Sequence, residues 1–249
     1  MKLSTLSFIL AVTMFVLSCK KENTELNFEP IQNYYPISKG KYITYRLDST
    51  VYTTLGTKKE VRSYIVIDVL DTSITDNLGK IAYVFKRSIR NSIDTTKWDL
   101  LTTYRVSIDS AKIAVTENNL RFVKLVSPLR KELTWKGNSF VNTNDNNNLA
   151  FLDGWLYTYG KPNESQLING NPFKETVSVF QKNDTIGNPN DKKMYAEILY
   201  SKEVYAKNIG LVYKEFTHET WQPPNANLVN GYYEEGSYGI KLSVIKHNF

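Results

Sequence analysis

The sequence predicts an all-β domain: an antiparallel sheet curved into an open barrel or folded into a sandwich. Three observations carry that expectation. From Tyr34 onward apolar and polar residues alternate with a period of two, the mark of strands with one buried face. No stretch keeps a helical period over three turns. Turn signals rich in Asn, Asp, Gly and Pro recur at short intervals, as antiparallel strands joined by tight connections require.

The elements follow in order. Gly40 lets the backbone turn into a first strand that contains Tyr42 and Tyr45. In the next run Val61, Ser63, Ile65, Ile67 and Val69 fall on one face, and Arg62, Tyr64 and Asp68 on the other. Ile81, Tyr83 and Phe85 alternate with Ala82, Val84 and Lys86. The cleanest strand sets Trp98, Leu100, Thr102, Tyr104, Val106 and Ile108 against Asp99, Leu101, Thr103, Arg105, Ser107 and Asp109.

Further strands are expected at 112–117, 120–127, 129–136, 149–159 and 173–182. Asn118-Asn119 reads as a tight turn because Asn tolerates positive φ, and Lys136-Gly137-Asn138 as another. Strands at 194–207 and 211–217 flank a hairpin connection at Asn208-Ile209-Gly210, with Gly210 in the left-handed position. Tyr238, Ile240, Leu242 and Val244 form a closing strand. Asn142 to Asn148 and Gln222 to Asn230 break the pattern as polar loops, the second carrying Pro223-Pro224. A helix fits within 144–156.

The first residues indicate where the protein resides. Met1-Lys2 precedes an apolar run from Leu3 to Val16 and then Leu17-Ser18-Cys19. A basic start, a short apolar core and a small residue before the cut are the secretory-signal pattern. The run is shorter than the ~20 residues of a membrane span. Leu17-Ser18-Cys19 resembles the lipobox of bacterial lipoproteins, and that resemblance implies that Cys19 is acylated and becomes the first mature residue. The chain then divides into a signal peptide at 1–18, a lipidated N-terminus and polar tether at 19–33, and a single β domain at 34–249. Each buried methylene of an acyl chain contributes ~0.8 kcal/mol, so several chains hold the membrane durably where one does not.

Composition narrows the function. The net charge of +6 is the small excess of 31 basic over 25 acidic residues, with no dense basic block, and nucleic acid is not an expected partner. Cys19 is the only cysteine, so a disulfide within the chain is excluded. Stability must come from burial, to which 17 Tyr, 11 Phe and 4 Trp contribute large areas.

Sites of chemistry are sparse. His218 and His247 are the only histidines and form no ligand motif, so no metal or cofactor is expected. His218 reads as an exposed residue near a strand end. There is no Gly-x-Ser-x-Gly elbow, no Ser-x-x-Lys element and no phosphate-binding loop. Glu234-Glu235 is the most visible acidic pair, but neighbours on a strand point to opposite faces.

Aromatic residues make the best binding argument. Trp155, Tyr157 and Tyr159 are expected to share a strand face with Phe151, and Trp221, Tyr232 and Tyr233 flank the proline-containing loop. Exposed, they would stack on sugar rings; buried, they would line an apolar cavity or simply fill the core. Asp48-Ser49-Thr50, Asp94-Thr95-Thr96, Asp109-Ser110-Ala111 and Asp184-Thr185-Ile186 resemble a sequon that Bacteroidota-type bacteria O-glycosylate. Ser49, Thr95, Ser110 and Thr185 are the candidate acceptors, although Asp-Ser and Asp-Thr are also turn dipeptides.

Two phrases carry a family resemblance. Tyr34-Tyr35-Pro36-Ile37-Ser38-Lys39-Gly40-Lys41-Tyr42-Ile43-Thr44-Tyr45 resembles the first strand of poorly characterised Bacteroidota-type cell-envelope lipoproteins. The stretch from Glu203 to Glu215, with Tyr205-Ala206 and Gly210-Leu211-Val212, is similar to a late hairpin in the same group. The resemblance implies an antiparallel β domain in the cell envelope, anchored to the outer membrane, and transfers no active-site residue. Both phrases read as folding signatures. The expected function is non-enzymatic binding of an apolar ligand, a glycan or an envelope protein. The alternative is an envelope hydrolase acting on glycans through a carboxylate pair.

Overall fold

The computed structural model describes residues 28–75, 79–93, 97–144, 147–226 and 229–249. The signal segment, Cys19 and Thr95 lie outside the described residues. A 3-10 turn at Ile31–Tyr34 opens the described chain. Six strands follow: β1 (Tyr42–Thr53), β2 (Lys58–Thr75), β3 (Ile81–Asn91), β4 (Asp99–Ile108), β5 (Lys112–Glu117) and β6 (Leu120–Val126). The short β7 (Thr134–Trp135) leads to a second 3-10 turn at Asn147–Leu152 and to β8 (Tyr157–Tyr159) and β9 (Glu164–Ile168). The last five are β10 (Asn171–Gly187), β11 (Ala196–Ala206), β12 (Gly210–Gln222), β13 (Tyr232–Tyr233) and β14 (Tyr238–His247).

The strands pair antiparallel in the order β6-β5-β4-β3-β2-β1-β14-β12-β11-β10-β8-β7, with β13 added to β12 and β9 to β10. The sheet curls until its two ends meet. Val123 N–H of β6 donates to Gly137 O just past β7 at 2.6 Å, and Trp135 Nε1–H donates to Val123 O at 2.9 Å. The Tyr159 hydroxyl of β8 accepts from Val126 N–H at 2.7 Å and donates to Val126 O at 2.9 Å. These bonds satisfy edge groups that an open sheet would leave exposed. The fold is an all-β, nearly closed antiparallel barrel.

Gly137 is needed at this seam. A Cβ there would lie 2.1 Å from the Tyr157 ring, so only glycine lets the chain pass.

One end of the barrel is plugged. Ile31 and Tyr34 are fully buried, Gln32 donates to Asp109 O in the β4–β5 turn at 2.8 Å, and Asn208 N–H in the β11–β12 turn donates to Asn33 O. Ile31 and the turn it heads therefore pack into the core. The interior cluster joins these residues to Val106, Leu125, Val177 and Tyr205. Val204 and Ala206, on the other face of β11, pack with Ile168 and Phe173 of the β9–β10 hairpin. Each such buried side chain contributes about 1.5–3 kcal/mol.

Two expectations are corrected. The strand at 129–136 shrinks to Thr134–Trp135, because a turn closed by Leu133 N–H to Arg130 O and the positive φ of Glu132 hold 130–133 out of extended geometry. The strand at 149–159 shrinks to Tyr157–Tyr159, after the 3-10 turn that answers the helical reading of 144–156 and after Gly154 at φ +68°. In β2 the buried face is the one that carries Asp68, with Val66 beside it, whereas Val61 is exposed. The turns hold: Asn118 and Asn119 both take positive φ, as do Gly40 and Gly210.

Candidate ligand cavity

Between the plug and the opposite end the barrel encloses a cavity of about 230 Å³. Its mouth lies at the β5–β6 turn, where Asn118 and, across from it, Tyr238 reach solvent. One group of lining side chains is apolar and aromatic: Phe122 from β6, Phe151 from the second 3-10 turn, Trp155, Tyr157 from β8, and Phe216 and Ile240 from β12 and β14. These rings pack on one another, with Trp155 and Phe216 stacked at 6.4 Å between centroids and Phe151 edge-on to Trp155.

A second group is charged. Arg87 of β3 grips Asp68 of β2 through two bonds of 2.6 Å, and the Tyr104 hydroxyl donates to the same carboxylate at 2.9 Å. Glu117 lies 3.9 Å from the Arg87 guanidinium. Lys124 crosses from β6 to Glu203 of β11 at 2.7 Å, and the Tyr205 hydroxyl donates to the second Glu203 oxygen at 2.7 Å. In the β11–β12 register Glu203 stands directly opposite Lys214, so the two side chains share the inner face. Ser201, two residues back on that face, donates from Oγ to Gln181 Oε1 at 2.6 Å.

Burial sets the electrostatics. It alone would raise the Glu203 carboxyl, but the Lys124 and Lys214 charges and the bonds from Lys124 and Tyr205 outweigh it and hold Glu203 below the usual carboxylate range. Burial also opposes the Arg87 charge, and Asp68 more than offsets it, leaving the guanidinium more basic than usual. Lys214 is pushed the other way. Burial, and then the like charge of Lys124, lower its ammonium below the ordinary lysine value, against weaker opposition from Glu203 and Glu117. Among the described residues no hydrogen bond or ion pair holds that ammonium. The Gln181 Nε2 amide is likewise buried with no partner.

Of the aromatic residues expected to bind, Trp155 and Tyr157 line this cavity. Tyr159 does not; its hydroxyl is spent on the barrel seam. All three are buried, so they offer no exposed platform for a sugar. Trp221, Tyr232 and Tyr233 are half-buried and lie apart from the cavity, and Trp221 and Tyr233 form one aromatic group. There Tyr233 stacks on Tyr52 at 4.1 Å and meets Trp221 edge-on at 5.0 Å. Lys192 lies over Trp221 at 4.6 Å, and Lys59 pairs with Glu219 at 2.8 Å.

His218 is half-buried rather than exposed. It stacks on Phe151 at 4.4 Å, and burial lowers its pKa. Among the described residues no cluster of His, Cys, Asp and Glu could hold a metal. Glu234 accepts from Gln222 Nε2 at 2.6 Å, and Glu235 is exposed. Of the candidate acceptor hydroxyls, Ser110 and Thr185 are exposed, and Ser49 is half-buried in the middle of β1. Asp109 Oδ1 accepts from Ala111 N–H and Lys112 N–H, each at 2.8 Å, so Asp109-Ser110 also serves as a turn.

The sequence did not single out Arg87, Lys124, Gln181 or Lys214. Glu203 and Lys214 stood within the phrase read as a folding signature. Their one signal is a charge placed on the same strand face as a core residue, Glu203 with Tyr205 and Lys214 with Phe216. That becomes visible only once the inner face is known.

No family model matches the chain, and no curated protein does. Among solved structures, it is similar to a Bacteroides fragilis protein assigned as exported and as having a YmcC-like fold. The two are 12% identical with a TM-score of 0.32, over 85% of this chain and 98% of the other.

Proposed function

We propose that this chain is a lipid-anchored protein of the bacterial cell envelope whose barrel holds a small amphipathic ligand, binding it without catalysing a reaction. The cavity supports this reading: about 230 Å³ inside the barrel, lined by aromatic side chains together with charged ones. Ligand sites have that character, mostly apolar with a few placed polar groups. The carboxylates that line it are engaged by cations, Glu203 by Lys124 and Glu117 by Arg87, which favours holding a ligand over transferring protons. The basic, apolar and Leu17-Ser18-Cys19 segments of the N-terminus support the anchor and the envelope location.

Two measurements test the halves of the proposal. Cys19→Ala abolishes acylation, so the chain leaves the membrane fraction or accumulates as an unprocessed precursor; normal processing and membrane recovery would refute the anchor. For the cavity, ¹³C-labelled octan-1-ol binds saturably to the full chain in lipid nanodiscs, beyond what empty nanodiscs take up. Leu120→Trp, which puts an indole ring where a smaller aliphatic side chain lines the cavity, removes that saturable component while the barrel stays folded by circular dichroism. Saturation that survives Leu120→Trp would place the ligand elsewhere.

A further inference from the structure

The inner walls of the cavity carry donors without acceptors. Three cations line it: Arg87, Lys124 and Lys214. Arg87 is matched in two bonds by Asp68, and Lys124 by Glu203. Lys214 has no carboxylate within ion-pair distance among the described residues. Gln181, 4% exposed, presents a buried amide N–H group with no partner.

The two lie on one continuous patch. Gln181 bonds Ser201, Ser201 and Glu203 follow each other on the inner face of β11, and Glu203 is the cross-strand partner of Lys214. Buried polar groups without partners are costly, by about 1–3 kcal/mol for a neutral donor and more for a charge. The buried Gln181 amide and the half-buried Lys214 ammonium, which no ion pair holds, leave this patch open to an acceptor that bears negative charge. Beside this patch, Phe151, Trp155, Phe216 and Ile240 offer nothing to a polar group and fit an apolar tail.

Size limits the tail. An engineered apolar cavity of about 150 Å³ holds benzene, so about 230 Å³ has room for roughly nine or ten non-hydrogen atoms. We infer that the ligand is an organic monocarboxylate with a short apolar tail, its carboxylate accepting from the Lys214 ammonium and the Gln181 amide and its tail lying against Phe151, Trp155 and Phe216. This inference rests on the cavity reading above and names the ligand class. The depressed basicity of Lys214 agrees with it, since an anion at that point restores the charge that burial opposes.

The test compares three probes of one tail length on the full chain in nanodiscs: ¹³C-carboxyl octanoate, ¹³C-labelled octan-1-ol and octylamine, each against empty nanodiscs. Octanoate binds saturably and at least tenfold more tightly than octan-1-ol, and octylamine no better than the alcohol. Lys214→Met weakens octanoate at least tenfold and leaves octan-1-ol within twofold. That variant keeps the barrel's β circular dichroism signal, because methionine nearly matches the length of the lysine chain and Lys124 still pairs with Glu203. Gln181→Leu gives a smaller loss of the same kind and tests the patch independently should Lys214→Met fold poorly. Lys202→Met, on the opposite face of β11, changes neither affinity.

Equal affinity for octanoate and octan-1-ol, or octanoate binding indifferent to Lys214→Met and Gln181→Leu, would overturn the carboxylate assignment and leave the cavity reading intact. Absence of saturable binding by both octanoate and octan-1-ol would overturn both.

Discussion

At the scale of single residues, Asp68 governs the barrel interior. It is 5% exposed and accepts from both Arg87 and Tyr104. Removing one partner of a buried pair leaves the other charge uncompensated, at a cost of about 3–5 kcal/mol, whereas removing a neutral hydroxyl donor costs about 1 kcal/mol. Asp68→Asn therefore lowers stability by about 3 kcal/mol and Tyr104→Phe by about 1 kcal/mol, read as a large and a small fall in the urea midpoint. Equal midpoints would mean that Tyr104, not Arg87, sets the value of the carboxylate. Asp68 also shows why the site was hidden in the sequence. An alternating strand has two faces, and the more apolar one, with Val61 and Ile65, looks like the buried one. Here an aspartate sits on the buried face because an arginine on the neighbouring strand neutralises it, and one strand read alone cannot reveal its neighbour.

At the scale of elements, long alternating strands and asparagine turns were legible because each depends on local chemistry. The β5–β6 hairpin needs two residues at positive φ and has Asn118 and Asn119 there, at 51° and 61°. The β4 strand was legible from its period alone, and Tyr104 and Val106 do face inward. The segments that failed, 129–136 and 149–159, are those whose shape depends on the seam. Their apolar residues, Leu129, Leu152 and Trp155 among them, are buried as strand residues would be, but by closing the barrel rather than by pairing along it. Alternation cannot distinguish those two ways of burying a side chain. The β1–β2 turn has the same dependence at its tip. A Cβ on Gly56 would lie 2.0 Å from Tyr233 O, so the glycine is dictated by a strand nearly 180 residues later in the chain.

At the scale of the whole molecule, buried tyrosines supply much of the core, and they fix its response to alkali. Burial raises the hydroxyl pKa of Tyr34 to about 12 and pushes those of Tyr45, Tyr104, Tyr157, Tyr159 and Tyr205 above their ordinary value. Below pH 10 these residues are protonated in both the folded and unfolded chain and do not affect the balance. Above pH 10 the unfolded chain releases their protons while the folded chain keeps them, so the contribution is lost as pH rises toward the folded values. At pH 11 each such tyrosine costs about 1.4 kcal/mol, and six together cost on the order of 8 kcal/mol, comparable with the whole stability of a domain. Lys214 runs the other way, since its depressed pKa favours the folded state as pH rises, but it is one group against six. The barrel should therefore unfold cooperatively between about pH 10.5 and 11.5. Tyrosinate absorbance near 295 nm should appear together with the loss of the β circular dichroism signal. If all 17 tyrosines ionise smoothly around pH 10 while the β signal persists, the interior is wet enough to solvate phenolate. In that case the charged side chains of the cavity could bind a ligand only with water between them.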